Sequence, residues 1–154
     1  MKIKQIFFTI IYWTWCLPQS LLGALVYGFV KLVDRDIEEF RYKTGAWIVR
    51  TEKLGAGVSL GYFIFSYDYE DAQESKGLPY SQWHKDAQER MDRHEWGHTL
   101  QGFLLGPLYL FVIGIPSFVW ASFYKKYRKE NNVSYYSFYP EKWADKWGKV
   151  KRSV

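Results

Sequence analysis

Cysteine is nearly absent. Cys16 is the only one, so no disulfide can form within the chain. It lies in an apolar run, reads as inert packing, and carries no redox information. Histidine is scarce too: there are 3 in 154 residues, and two of them stand four positions apart. No internal repeat and no low-complexity tract is present. The length suits one domain, 1–154, and is too short for two with cores of their own. No basic stripe alternates with aromatics as a nucleic-acid groove requires, so no nucleic-acid partner is expected.

Charge is missing from two long stretches, 5–30 and 102–124. The first could span a bilayer, which takes about 20 residues of helix. Lys2 and Lys4 precede it and Lys31 follows, so basic residues at both ends set no orientation. Pro18 interrupts it, which predicts two shorter helices meeting at a kink. A secretory leader would need a small-residue cleavage site, and none follows cleanly. A buried core helix is the third option, less suited to a run so long and aromatic. Gly106-Pro107 and Gly114-Ile115-Pro116 break the second stretch into pieces too short to cross singly.

Aromatics make up 21% of the chain and the net charge is +5. Trp and Tyr combine an apolar body with a polar tip and collect at membrane interfaces. The Lys and Arg lie beside the apolar runs, which favours an anionic membrane surface over nucleic acid as the partner, with a basic surface that only keeps the chain soluble as the alternative. An apolar, membrane-associated segment is expected over 1–33 and a soluble, metal-binding part over 34–154.

Within that second part, 34–43 is charged and reads as a helix end or surface segment. Segments 46–51 and 58–67 are rich in β-branched and aromatic residues, with a Gly-containing turn at 53–57, which predicts a β-hairpin. Residues 69–78 read as a loop. A helix is expected from Ser81 to about Leu105, another loop at 131–134, a short helix from Pro140 stopped at Gly148, and a frayed basic tail at 149–154. The expected class is α+β, mainly helical, with a small β-hairpin and apolar helices broken by Pro and Gly.

The chemistry lies in His94-Glu95-Trp96-Gly97-His98. On a helix, residues four apart share a face, so His94 and His98 project together and can reach one Zn²⁺ at about 2.0–2.1 Å. Glu95 sits about 100° around the helix, near enough to take a proton from water acidified by the ion. This is the H-E-x-x-H spacing of zinc peptidases, and chance produces it in fewer than about 1% of chains this long. No histidine follows His98, which excludes a third histidine ligand downstream. Instead a helix over 140–148 would put Glu141 and Asp145 on one face and Trp143 and Trp147 on another. Glu141 is then the expected third ligand. Asp145 could hold the free ring nitrogen of a ligating histidine. One ion joining His98 to Glu141 also forbids a single crossing by 102–124, because about 30 Å of hydrocarbon would separate them. That stretch should fold back as a helical hairpin that dips into the membrane or packs in the core.

His94-Glu95-x-x-His98 followed by Glu141-x-x-Ala144-Asp145 resembles the glutamate-type zincins. The likeness is closest to the membrane-associated group that includes prenyl-protein and heat-shock membrane endopeptidases. It covers about a third of the chain. The stretch 94–117, with Gly97, Thr99, Gln101 and a Leu-Gly-Pro-Leu-Tyr run, also resembles small bacterial proteins and toxin-associated domains. The chain is shorter than the prenyl-protein enzymes and lacks their set of clear spans. The resemblance implies zinc on His94, His98 and Glu141, Glu95 as general base, Asp145 behind the ligands, and a location at the bacterial inner membrane. It also implies that a strand at 58–65 lies beside an extended peptide or protein substrate. Tyr135, Tyr136 and Tyr139 are all candidates to stabilise an oxyanion. The expected function is a membrane-associated zinc metallopeptidase. The alternatives are a non-enzymatic membrane protein stabilised by zinc and a toxin- or effector-type hydrolase.

Overall fold

The computed structural model describes residues 3–35 and 37–152. Lys2, Asp36 and the last two residues of the basic tail, all within segments read above, lie outside the described residues.

Two helices open the chain, α1 (Ile3–Trp13) and α2 (Leu17–Val33), bent by 94° across Thr14, Trp15 and Cys16. Pro18 sits in the first turn of α2, where a missing backbone N–H costs nothing. The expected kink is therefore there, placed just ahead of the proline.

Four strands follow, β1 (Glu38–Tyr42), β2 (Ala46–Arg50), β3 (Val58–Leu60) and β4 (Phe63–Ser66), in the sheet order β1-β2-β4-β3. This corrects the expected hairpin. Segments 46–51 and 58–67 do not pair as one: β2 and β4 run parallel, Trp47 opposite Phe63. The second segment splits at Gly61-Tyr62 into its own antiparallel pair, β3 with β4. The segment at 34–43 also supplies a strand, since β1 pairs antiparallel with β2.

Alternation along β2 and β4 builds two half-cores. Ala46, Ile48 and Ile64 face α1 and the long helix α4 (Gln82–Leu105), joining Tyr12 and Trp96. Val49, Phe63 and Phe65 face α2 through Val30. Buried Asp92 fixes α4 to the sheet. Its carboxylate accepts from Ser66 Oγ and Gln88 Nε2 on one oxygen and from Arg50 on the other.

Residues 69–74, read as loop, form a short helix, α3 (Tyr69–Glu74), because the Asp68 carboxylate accepts the backbone N–H of Glu70 and Asp71. Helix α4 begins after Ser81 as expected. It ends at Gly106, at φ 52, and the chain bends by 119° between Leu108 and Leu110. A Cβ at Gly106 would lie 2.2 Å from the Trp15 ring, so the two bends seat in each other. Gln19 Nε2 donates to Gly106 O and Trp15 Nε1 to Phe103 O, both at 3.0 Å.

The stretch 102–124 folds back as the ligand set demands, at one bend that follows Gly106-Pro107. Gly114 to Pro116 makes no break, because a π-helical turn at Leu110–Gly114 runs on into α5 (Ile115–Phe123). After α6 (Lys125–Glu130), α7 (Tyr139–Gly148) returns against α4 as its closest helical neighbour. The tail is anchored as far as Arg152, which binds Asp145, so fraying does not begin at 149.

Candidate metal centre

Helix α4 carries His94 and His98 on one face, and α7 brings Glu141 up to them. Their ligand atoms all lie within 4.8 Å of one another, and all three residues are buried. Glu141 Oε2 is 3.0 Å from His94 Nε2 and 3.4 Å from His98 Nε2. Two ligands at zinc-like bond lengths on a tetrahedral ion lie about 3.3 Å apart, so the spacing suits one small cation.

The partners behind each ring decide which nitrogen faces inward. Asp145 Oδ1 lies 2.7 Å from His94 Nδ1. Arg152 grips the same carboxylate through Nε and Nη2, at 2.6 and 2.8 Å. On the other ring, Gln101 Nε2 donates to Pro140 O, which turns Gln101 Oε1 toward His98 Nδ1 at 2.8 Å. Both Nδ1 atoms therefore carry the proton, and both Nε2 atoms point at Glu141. Gln101 is a supporting residue to which the residue pattern assigns no role. Its signals are its place in the 94–117 resemblance and its position three residues past His98 on the same helix.

The electrostatics suit a positive charge at this point, a proton on the imidazole or a metal ion. Glu141 is fully buried, a costly place for a carboxylate without a positive partner. Burial alone would raise its pKa, but bonds to His94 and His98 hold it well below the usual carboxylate range. Burial would likewise lower the His94 pKa, yet Asp145 on one nitrogen and Glu141 on the other raise it to about 9. An imidazole between two carboxylates must hold two protons or give one up to a metal. The donor set of two imidazoles and one carboxylate fits a metal ion, and its hydrogen bonds to Asp145 and Gln101 are those of ligands held in place.

Glu95 is not part of this set. It is buried and its Oε2 has no hydrogen-bond partner among the described residues. Burial pushes its pKa up, against the pull of the two imidazoles. It opens with His94 onto a cleft of about 400 Å³ that Gly57, Tyr135 and Tyr136 also line. The three candidate tyrosines separate here. Tyr139 donates outward to Val112 O, whereas Tyr135 and Tyr136 stand in the cleft, Tyr136 edge-on to His94 at 5.5 Å. Tyr135 is drawn toward Ser117 and Glu141, and burial pushes its phenol well above the ordinary range. Ser117 Oγ donates to Glu141 Oε1, a contact absent from the sequence reading.

The edge strand β3 is tied to the same helix. Ser59 and Thr99 hydroxyls meet at 2.8 Å, and Tyr109 donates to Ser59 O. Thus the sequence-expected ligands, base and supporting acid come together at one place. Comparison with family models, with curated proteins and with solved structures gives no match.

Proposed function

We propose that this protein is a zinc-dependent metallopeptidase that works at a membrane surface. The observation that carries the reading is the unpartnered, buried oxygen of Glu95 beside three converging ligand atoms. His94, His98 and Glu141 would hold the ion, a set that leaves a fourth position open, as catalytic zinc requires. Bound zinc supplies Lewis acidity for a peptide carbonyl and for water. Glu95 takes the proton from the attacking water at its free oxygen and delivers it to the leaving amine. Its raised pKa suits both halves of that task. Asp145 and Gln101 keep the imidazoles aimed. Tyr135 or Tyr136 donates to the developing oxyanion, and the exposed side of β3 receives an extended substrate.

A second reading has its own support. Gly97 meets the Ala144 backbone so closely that the ion could serve only to fasten α7 to α4. Glu95→Gln separates the two. It keeps size and shape and touches no expected ligand. Zinc content and Tm should stay near wild type while hydrolysis of a mixed peptide library falls by at least about 10²-fold. Equal cleavage by wild type and Glu95→Gln would establish the structural role in place of the catalytic one.

A further inference from the structure

The cleft onto which His94 and Glu95 open carries three guanidinium groups, those of Arg90, Arg128 and Arg152, and one carboxylate, that of Glu95. Aromatic rings of Tyr69, Trp83, Tyr135 and Tyr136 form much of the rest. Like charges gathered in so small a space repel unless something anionic joins them. Two of the three have work within the fold. Arg152 forks onto Asp145 and covers the Tyr136 ring. Arg128 donates to Trp120 O and lies over the rings of Trp120 and Tyr135. Arg90 differs. It is half-buried and has no hydrogen bond or ion pair among the described residues.

Its place on α4 sets a distance. Arg90 precedes His94 by four residues, one turn back on the same face and about 6 Å along the axis. An extended peptide advances about 3.3 Å per residue, so a group held at Arg90 lies about two residues from a bond held at the ligands. A guanidinium offers paired donors that match a carboxylate, and a cleft walled by rings strengthens the attraction.

We propose that Arg90 anchors a carboxylate of the substrate, so that the site selects peptides with a free C-terminus or an Asp or Glu side chain about two residues from the scissile bond. This rests on the hydrolase reading. Water adds across the C–N bond: a C–O bond forms, the C–N bond breaks, and the proton taken by Glu95 leaves with the amine.

The test uses full-length, zinc-loaded protein and matched peptide libraries. One pair has free C-termini against C-terminal amides, and the other has Asp and Glu against Asn and Gln. Wild type should favour the acid member of at least one pair by about 10-fold or more in kcat/KM, and which pair responds identifies the source of the carboxylate. Arg90→Gln should bring that ratio close to one and Arg90→Lys should restore part of it. Arg93→Gln, whose guanidinium pairs with Glu89 outside the cleft, should keep the wild-type ratio. Equal cleavage of acids and neutral twins by wild type would overturn the anchor and leave hydrolysis standing. If wild type cleaves neither, the hydrolase reading fails, and calorimetric titration of Glu95→Gln with the same peptides decides the anchor. Tighter binding of the acids that an added Arg90→Gln change removes would support it; equal affinity would overturn it.

Discussion

His94 stands between two carboxylates, and proton and metal compete for the side facing Glu141. This gives opposite pH dependences to the metal-free and metal-loaded protein. In chelator-treated protein the pKa rises from an ordinary 6.5 to about 9 on folding. A raised pKa means stability fully present below pH 6.5 and lost as pH climbs toward 9. Glu141 works at the other end. Its depressed pKa gives stability present above its ordinary value of 4.5 and lost as pH falls further. With zinc added, the imidazoles must be neutral, so acid expels the ion and loading improves as pH rises. Between pH 6.5 and 9 the Tm of chelated protein should therefore fall while that of zinc-saturated protein holds or rises. Thermal melts at intervals across that range, with and without chelator, check this. Parallel curves would mean that metal and proton do not share the Nε2 position.

The seam between α4 and α7 delivers Glu141, and Gly97 makes that seam possible. A Cβ at Gly97 would stand 2.0 Å from Ala144 O, a backbone atom that cannot swing aside. Gly97→Ala gains about 1 kcal/mol in helix propensity but loses about 3 to overpacking, a net loss of about 2 kcal/mol. Zinc content should fall with it, since α7 carries the third ligand. Gly28→Ala is the control: it has open space around it at an exposed position of α2, and should stabilise the protein by up to about 1 kcal/mol. Denaturant melts and metal analysis of both variants give the answer, and a fully zinc-loaded Gly97→Ala protein of wild-type stability would show that the seam has slack. At this same scale the sequence was readable where periodicity and local chemistry agree. The helix after Ser81, the stop at Gly148 and the pairing of Glu141 with Asp145 all follow from spacing. Strand partners did not follow. The parallel match of β2 with β4 depends on which chain segments the sheet brings side by side, and no local pattern in 46–51 or 58–67 encodes that. Gln101 escaped for a similar reason, because its amide is oriented by Pro140 O, 39 positions along the chain.

Over the whole molecule, apolar side chains remain on the outside of the two bent helix pairs. Leu25 is 73% exposed, Leu32 82%, Phe111 70% and Phe123 73%. The pairs touch where Trp15 and Gln19 meet Phe103 and Gly106, so these surfaces are neighbours. Among the described residues no single helix is long and apolar enough to cross a membrane. The membrane attachment proposed above would lay these two helix pairs, bent by 94° and 119°, along one leaflet. Lys125, Lys126 and Lys129 follow α5, which places cations beside the apolar surface and favours anionic lipid at about 1 kcal/mol each. Removing residues 1–31 would be a poor test, because Tyr12, Ser20 and Val30 are fully buried and the core would open. Charged point substitutions leave the core intact. Leu25→Glu and Phe111→Glu each remove a side chain worth about 1.5–3 kcal/mol on burial, and vesicle partitioning should fall at least about 10-fold for each. Zinc content should not change, since neither residue approaches the ligands. Flotation with vesicles of neutral lipid, and with part of it replaced by anionic lipid, measures both contributions, with the anionic vesicles binding more strongly at low salt. Full-length protein that stays monomeric without detergent and floats with neither vesicle would remove the membrane from the proposed function and leave the metal chemistry untouched.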